Sequence, residues 1–276
     1  MSKIEKALNR AREAGLQVVP LTNAGTGAAT GGSVVAYRGT NPETIPRMAM
    51  NEVRMLAPND LEQRGMIRPQ HAEDPVILAF RELRTKVIQQ NPGQNAIILV
   101  TSVSQGCGSS FVARNLGAAF AFDVEKTALL IDCNLSNPSV HQLLRNASVP
   151  GLTDYLENPA LDVEKIIHPL GIARFRLITA GKRRESPEEL FTSGKMKQLM
   201  DTLRRRYRER FIVIDGPPMS KIADIRILSE LADYVLVVAC YARSTNTQIT
   251  NCLNAISEKK LLGIVFNEEP RIPRIR

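Results

Sequence analysis

The hydrophobic run Ile97-Ile98-Leu99-Val100-Thr101 is followed by Ser102-Val103-Ser104-Gln105-Gly106-Cys107-Gly108-Ser109-Ser110, and a helical pattern begins near residue 110. A strand, a glycine-bearing loop and a helix in this order form an arrangement that cradles phosphate groups. Backbone N–H groups and the positive end of the helix meet the phosphate oxygens, and glycines let the backbone approach them closely. Alone, the pattern is a weak signal because any turn from strand to helix can use glycines, so the rest of the chain decides its meaning.

The loop departs from the usual phosphate loop at one position. In the usual pattern, the last glycine precedes a lysine and then a serine or threonine. Gly108 and Ser110 fit this pattern, whereas Ser109 occupies the lysine position. We predict that the loop contributes its nucleotide contacts from Gly106, Cys107, Gly108, Ser109, Ser110 and Phe111.

Short apolar runs alternate with helical patterns from residue 74 onward. Strands are predicted at 96–101, 128–132, 175–179, 211–215, 234–240 and 262–266. Helices are predicted from Pro75 to about Gln90 and near 110–122, 187–208, 223–231 and 245–259. Continuous Val, Ile and Leu runs between helices indicate strands that are buried on both faces. The expected fold is a doubly wound α/β domain of the P-loop NTPase type, with a mostly parallel sheet and helices on both faces.

Two of the predicted strands end in a carboxylate, Asp132 after Leu129-Leu130-Ile131 and Asp215 after Phe211-Ile212-Val213-Ile214. In this topology, ligands bind beyond the carboxyl ends of the strands. Asp132, Asp215 and Ser110 are therefore the candidate Mg²⁺ ligands, and the two aspartates are also the candidate catalytic residues. The alternative is that each aspartate only caps the turn or helix that follows it. The order of the two aspartates behind a glycine loop favours the metal site.

The net charge of +8 and the pI of about 9.5 raise the question of nucleic-acid binding. The basic clusters at 182–184 and 204–206 are not interleaved with aromatic residues, and Trp is absent. Stacking on single strands therefore has little support, and the composition argues against nucleic acid. Solvated helix faces explain the charge better, and an acidic protein surface or anionic lipid headgroups are equally suitable partners for it.

The sequence predicts a cytoplasmic protein. No stretch approaches the ~18 uninterrupted apolar residues of a membrane span, and the N-terminus has no apolar core typical of a secretory signal. The four cysteines show neither a CxxC pair nor zinc-ligand spacing, so we expect reduced, partly buried thiols. Cys107 and Cys133 are expected near the site, where inert packing is favoured over a redox switch between them.

The chain divides into three parts by composition. Residues 1–18 are predicted as an amphipathic helix with a capping box at Ser2 and Glu5, serving either as a docking element or as a fraying end. Residues 19–73 are predicted as a flexible linker because Gly, Thr, Ala, Asn and Pro dominate there without hydrophobic periodicity. Residues 74–276 form the predicted P-loop domain.

The segment from Asp74 to Asn267 resembles the cytoplasmic domain of the bacterial tyrosine kinases (BY-kinases) that control capsule and exopolysaccharide assembly. The resemblance extends over roughly 190 residues in the family's order. It rests on Phe80-Arg81-Glu82-Leu83-Arg84-Thr85, Val100-Thr101-Ser102, Leu130-Ile131-Asp132, Asn137-Pro138-Ser139, Gly151-Leu152-Thr153-Asp154-Tyr155-Leu156, Pro187-Glu188-Glu189-Leu190, Ile214-Asp215-Gly216-Pro217-Pro218, Asp224 and Gly263-Ile264-Val265-Phe266-Asn267.

This resemblance implies ATP or ADP with Mg²⁺ as the cofactor, with Asn267 at the base. It implies an oligomerisation helix that contains Arg81 and Arg84, and hence a homo-oligomer. The partner it implies is the cytoplasmic segment of a membrane polysaccharide chain-length regulator, or co-polymerase, which would recruit the chain to the inner face of the membrane. Residues 1–15 also resemble the start of the soluble, stand-alone members of the family.

Several departures from the family pattern fall on its machinery. The family lysine is Ser109, an acidic residue of the second strand is Asn134, and the basic residue after it is Ser136. The acid of the oligomerisation helix is Leu78, and no tyrosine follows Tyr241. Because phosphoryl transfer depends on positioned positive charge, these losses predict a catalytically impaired regulatory subunit.

Two other readings of the function remain open. The first is an active tyrosine autokinase or ATPase of the same pathway, with Lys182 or Arg243 replacing the lost lysine. The second is a positioning ATPase of the ParA/MinD group, which uses an additional lysine where this chain has Ser104.

Overall fold

The computed structural model describes residues 19–21, 56–68, 73–91, 94–144, 148–206 and 210–268. Its strands are β1 Val19–Leu21, β2 Ile97–Ser102, β3 Thr127–Asp132, β4 His168–Pro169, β5 Phe175–Ile178, β6 Arg210–Pro218, β7 Tyr234–Cys240 and β8 Leu261–Asn267. Its helices are α1 Pro58–Gln63, α2 Pro75–Gln90, α3 Ser109–Ala121, α4 Leu152–Glu157, α5 Glu188–Thr192, α6 Gly194–Arg206, α7 Ile222–Leu231 and α8 Asn246–Asn254. Among these described helices, none has both the length and the apolar character needed to cross a membrane.

The strands form one sheet in the order β1-β8-β7-β2-β6-β3-β5-β4. Every neighbouring pair is parallel except β4 with β5. A mostly parallel sheet was expected because the strands read as continuous apolar runs separated by helices. The predicted fold class is confirmed.

Successive side chains of each strand point to opposite faces of the sheet, so the strands contribute to two separate hydrophobic cores, one on each face. Ile98 and Val100 of β2 point into the core beneath α1, α2 and α3. Ile97 and Leu99 point into the opposite core, which α4 to α8 cover. Helices on both faces are therefore what a sheet with two apolar faces requires.

Helix α2 begins where the sequence predicts. Asp74 caps it, because its carboxylate accepts a hydrogen bond from the backbone N–H of Val76 at 2.9 Å. Pro75 follows at the first helical position, where its missing N–H costs nothing. A local cap also explains why another predicted helix is interrupted. The helix expected over 187–208 breaks at Ser193, whose hydroxyl accepts from the N–H of Met196 at 3.1 Å and so starts α6 separately from α5.

Two further boundaries differ from the prediction. Strand β6 continues past Asp215 to Pro218 instead of ending at the carboxylate. The Thr101 hydroxyl stabilises this continuation by donating to the carbonyl of Pro217 at 2.7 Å. The pairing of β2 with β6 shifts by one residue in the same region. Helix α8 ends at Asn254, and a separate 3-10 turn covers Glu258–Lys260.

The predicted flexible linker over 19–73 needs correction where the structure describes it. Strand β1 pairs in parallel with β8, and residues 56–68, which include α1, pack onto the domain. Leu61, Met66 and Ile67 are buried in the same core as α2 and α3. The prediction missed this segment because its apolar residues contact the domain across the chain and show no local periodicity. The predicted N-terminal helix over 1–18 and residues 22–55 lie outside the described residues.

Candidate phosphate and metal site

The carboxyl ends of five parallel strands meet at one edge of the sheet. Strands β2 and β6 lie side by side at its centre, β3 follows on one flank, and β7 and β8 lie on the other. The loop between β2 and α3, here called the phosphate loop (residues 103–108), leaves this edge next to β6 and β7. Ligands of α/β sheets bind at this edge, where the strand order reverses.

Gly108 gives the phosphate loop its sharp entry into α3. Its φ of +84° lies in the left-handed region, which residues other than glycine rarely adopt. A Cβ at this position would lie 2.2 Å from Nδ2 of Asn267. Both the backbone conformation and the close approach of Asn267 therefore require glycine.

Asn267 holds the phosphate loop in place. It ends β8, is buried, and donates from Nδ2 to the carbonyl oxygen of Cys107 at 3.0 Å. The contact with the nucleotide base that the resemblance implies for this residue stays a prediction, and the bond to the loop is an additional role. One amide hydrogen of Nδ2 and the Oδ1 atom are left for other contacts.

The first turn of α3 carries the predicted anion-binding groups. Ser109 and Ser110 open the helix, and no side chain in the described part of the chain caps it. The free N–H groups of a first turn and the helix dipole together attract an anion. The Ser109 side chain is buried and neutral, so the helix supplies no side-chain cation at the position where a phosphate loop ordinarily has one.

Asp132 is fully buried at the end of β3. Its Oδ1 accepts from the N–H of Asn134 at 3.1 Å, and its Oδ2 accepts from Ser139 and Val140 at 3.2 and 3.0 Å. Burial raises the pKa of this carboxyl to about 6, although the three hydrogen bonds counteract the shift. The capping alternative is thus partly realised, since Asp132 organises the turn that follows β3.

Asp215 lies directly beside Asp132 in the register of β3 and β6, and it is also fully buried. Its two oxygens have no hydrogen bond of ordinary geometry among the described residues, and the Ser110 hydroxyl is a side-chain donor that acts on them. Burial and the neighbouring Asp132 raise its pKa well above the ordinary value, while Ser110 and Arg114 act in the opposite direction. A buried carboxylate without a partner is costly unless a proton or a cation neutralises it.

The three predicted ligands fit Mg²⁺ chemically. Asp215 offers two unsatisfied oxygens, Asp132 lies next to it, and the Ser110 hydroxyl approaches Asp215 from α3. Mg²⁺ prefers such oxygen ligands and keeps several waters. The unsatisfied oxygens of Asp215 are the observation that a cation would explain.

The two residues that follow Asp132 in the chain carry no charge. Asn134 is buried, and its Oδ1 has no partner among the described residues. Cys133 is buried as well, and its N–H donates to the carbonyl of Asp215 at 2.9 Å. Burial, together with Asp132 and Asp215, raises the pKa of the Cys133 thiol well above its ordinary value.

One arginine reaches the phosphate loop from the segment after β7. Nη2 of Arg243 donates to the carbonyl of Gly106 at 3.1 Å, and it forms an ion pair with Glu268 at 2.6 Å. Lys182, the other candidate for the missing lysine, instead pairs with Asp154 at 3.8 Å. Arg114 acts electrostatically on Asp215 from within α3, and burial lowers its pKa.

The two predicted oligomerisation residues lie on α2. Arg84 turns toward its own domain, donating to the carbonyl of Ala119 at 3.3 Å and lying 3.9 Å from Asp123. Arg81 is half-buried, and the exposed Leu78 lies one turn before it. Their role in assembly stays a prediction.

Sequence reasoning missed several residues that shape this site. Asn115 binds the segment 56–68 to α3, and Cys240 contacts the phosphate loop from the end of β7. The position of Cys240 at the end of a predicted strand was a usable signal. The sequence could not show, however, that β7 lies beside β2, because the order of strands in the sheet is not encoded locally.

The fold defines an α/β protein of the P-loop NTPase class. No family model matches the chain. EpsB of Ralstonia solanacearum, which is named as a tyrosine-protein kinase, is 34% identical over 199 residues, 71% of this chain and 26% of EpsB. The tyrosine-protein kinase Wzc of Salmonella typhimurium is 32% identical over 197 residues, 70% of this chain and 27% of Wzc.

A solved structure shows the same fold. The kinase domain of the Escherichia coli tyrosine kinase Etk superposes with a TM-score of 0.64 at 24% identity, covering 80% of this chain and 97% of that domain. With EpsB and Wzc as relatives in sequence, the chain belongs to the BY-kinase family. It spans about a quarter of the length of the curated relatives that it matches.

Proposed function

We propose that this chain binds Mg²⁺ with ATP or ADP, transfers phosphate weakly or not at all, and acts as a regulatory subunit in exopolysaccharide or capsule assembly. The observation that carries the proposal is Ser109, a buried neutral residue at the lysine position of a site that keeps the glycine loop, Ser110 and both strand-end aspartates. Binding and catalysis separate here because they depend on different groups.

Binding is supported by groups that the chain retains. The N–H groups of the first turn of α3 can meet phosphate oxygens, and Ser110, Asp132 and Asp215 would hold Mg²⁺. When bound, Mg²⁺ supplies positive charge to the phosphate oxygens. Because both aspartates are buried, they would hold the ion from the side of the sheet, away from bulk water.

Impaired catalysis follows from the missing charge. A lysine would place an ammonium group among the phosphates, whereas the Ser109 hydroxyl is short and neutral. Losing one positioned electrostatic contact costs ~10²–10³ in rate. Asn134 removes a second charge beside Asp132, where a carboxylate could serve as a base or a metal ligand.

The proposed partner is the cytoplasmic segment of a membrane chain-length regulator, which would bring the chain to the inner face of the membrane. The net charge of +8 supports attraction to an acidic protein surface or to anionic headgroups. Exposed cations such as Lys182 and Arg183 would contribute to it.

A nucleotide titration tests the binding half. Wild type, Ser109→Lys and Ser109→Gln are titrated with ATP and ADP, with and without Mg²⁺. We expect Mg²⁺-dependent binding by wild type, tighter binding by Ser109→Lys, and no gain from Ser109→Gln, which matches the length without the charge. If wild type binds neither nucleotide, the site is only a remnant.

A phosphorylation assay tests the catalytic half. The purified chain is incubated with Mg·ATP and the cytoplasmic segment of its membrane partner, with Asp215→Ala as the negative control. We expect no more label on tyrosine than in the control. Robust tyrosine phosphorylation by wild type would overturn the proposed impairment, and failure to co-purify with the partner would overturn the proposed role.

One contact favours a second candidate, an active tyrosine kinase or ATPase. Arg243 lies at the phosphate loop, 3.1 Å from the Gly106 carbonyl, and it could release Glu268 to face a phosphate. This candidate predicts that Arg243→Ala abolishes a measurable turnover while Lys182→Ala leaves it unchanged.

A further inference from the structure

The phosphate loop carries a cysteine that faces a second cysteine from a neighbouring strand. Cys107 lies between the two glycines of the loop, and Cys240 ends β7, the strand that pairs with β2. The Cys240 Sγ donates to the carbonyl of Gly106 at 3.7 Å, which places it against the residue before Cys107. The Ser244 hydroxyl connects the two residues, because it lies 3.8 Å from the Cys107 Sγ and accepts from the backbone N–H of Cys240 at 2.9 Å.

Polar groups surround both sulfur atoms. The Cys107 Sγ lies 3.2 Å from the Ser104 hydroxyl and 3.8 Å from the Ser244 hydroxyl. Nη2 of Arg243 donates to the Cys240 Sγ at 2.7 Å. Both cysteines are buried and contact an apolar core, but the hydroxyls and the guanidinium beside the sulfur atoms favour the thiolate form.

The two thiols differ in their readiness to ionise. Burial alone raises the pKa of Cys107, but hydrogen bonds from Cys240, Ser104 and Ser244 together lower it below the ordinary value. Burial and the interaction with Cys107 raise the pKa of Cys240 to about 12. Cys107 is therefore the better nucleophile, and Cys240 is the thiol that remains protonated.

We propose that Cys107 and Cys240 are a redox-sensitive thiol pair that hydrogen peroxide converts to a disulfide, which would link the phosphate loop covalently to the end of β7. The Cys107 thiolate attacks a peroxide oxygen, the O–O bond breaks, and a sulfenic acid and hydroxide form. The Cys240 sulfur then attacks the sulfenic sulfur, the S–O bond breaks, and the S–S bond forms. Together the two thiols lose two electrons and two protons, and the peroxide leaves as two waters.

This pairing differs from the redox switch between Cys107 and Cys133 that was weighed from the sequence, where inert packing was favoured. Cys133 lies in the core on the opposite face of the sheet from Cys107 and Cys240. The two cores are separated by the sheet itself. The strand order thus selects Cys240 as the partner.

The consequence for ligand binding rests on the proposed function. The backbone N–H of Cys107 belongs to the loop that would surround a phosphate, so a disulfide would fix the loop in one conformation. Oxidation should then change nucleotide affinity, and a dithiol reductant should restore it.

Peptide mapping after oxidation tests the pair without any nucleotide. The reduced full chain is treated with hydrogen peroxide, digested without reduction and analysed by mass spectrometry. We expect a Cys107–Cys240 cross-link, reversible by dithiothreitol, in wild type and in the control Cys252→Ser. The cross-link should be lost in Cys107→Ser and in Cys240→Ser, both checked for folding by circular dichroism.

A trapping reagent tests the order of the steps. In Cys240→Ser, a cyclic diketone specific for sulfenic acids should label Cys107, and in Cys107→Ser it should leave Cys240 unlabelled. A cross-link to Cys133, a cross-link only after denaturation, or no cross-link would each overturn the proposal. If the cross-link forms but the reduced chain binds no nucleotide, the redox pair stands and the proposed function falls.

Discussion

Asp132 and Asp215 lie side by side at the carboxyl ends of β3 and β6, both fully buried, and of their two carboxylates only that of Asp132 accepts hydrogen bonds from described backbone N–H groups. The difference in partners divides their roles. Asp132 fixes the turn after β3 through three backbone N–H groups. Asp215 keeps both oxygens for a proton or a cation.

Magnesium binding should therefore depend on pH. The pKa of Asp132 is raised to about 6 and that of Asp215 lies well above its ordinary value, so protons compete with Mg²⁺ for both carboxylates. We expect affinity for Mg·nucleotide to rise as the pH increases through about 6 and beyond, with release of protons on binding. Calorimetry in buffers of different ionisation enthalpy measures both effects.

The control for this prediction is the exposed Asp201→Asn, which should leave the pH dependence unchanged. Asp215→Asn should remove most of the proton release because one of the two competing carboxylates is gone. An affinity that does not change with pH in wild type would contradict the prediction.

Replacing Gly108 by alanine should cost more stability than replacing Gly106. Both glycines have positive φ, but a Cβ at Gly106 meets nothing within 4 Å, whereas at Gly108 it meets Asn267. Backbone strain of about 1 kcal/mol or more is common to both variants. Displacing the Asn267 amide from the Cys107 carbonyl should add about 1 kcal/mol for Gly108→Ala.

Urea unfolding of the two variants measures this difference. In an Asn267→Ala background the extra cost of Gly108→Ala should disappear, since the obstructing amide is gone. Equal losses for Gly106→Ala and Gly108→Ala would mean that the Asn267 contact contributes nothing.

Asn115 should control the attachment of residues 56–68. Its side chain is fully buried, accepts from the N–H of Ile67 at 2.7 Å and donates to the carbonyl of Gly65 at 2.9 Å. We expect Asn115→Ala to lower the free energy of unfolding by about 2 to 3 kcal/mol, because buried backbone groups lose their partners. Trypsin should also cut faster after Arg64.

The matched control is Asn158→Ala, which removes an exposed asparagine and should change stability by only about 0.5 kcal/mol. Unchanged protease sensitivity in Asn115→Ala would show that other contacts, such as the apolar side chains of the segment, hold it sufficiently.

Asp224 should reduce stability at neutral pH. It is buried at the start of α7, its oxygens have no partner among the described residues, and burial followed by the charge of Glu188 raises its pKa from 3.8 to about 6. A carboxyl with a raised folded-state pKa holds its proton longer in the folded than in the unfolded chain. Stability therefore falls as the pH rises from 3.8 to about 6.

Asp224→Asn should remove this fall and stabilise the chain above pH 6 by up to about 3 kcal/mol. Thermal or urea unfolding across the acidic range measures the change, with Asp201→Asn as the exposed control. A less stable Asp224→Asn at neutral pH would indicate a partner for this carboxylate.

Local patterns made much of the fold and part of the site predictable. The predicted strands match the observed strands to within a few residues because a buried parallel strand requires a continuous apolar run. Helix α2 was predictable from Asp74 and Pro75, which act on their own first turn. The division of residues 187–208 into α5 and α6 was not predicted, because the apolar periodicity continues through Ser193, where the structure has a helix cap.

The sequence by itself determined the two-faced sheet, the position of the phosphate loop, the absence of its lysine and the two aspartates at strand ends. Each of these depends on neighbouring residues or on the rule that parallel strands end at one edge. Only the tertiary structure placed β7 beside β2 and β8 beside β7, which brings Cys240, Arg243 and Asn267 to the loop. These contacts join residues far apart in the chain, and no local periodicity encodes them.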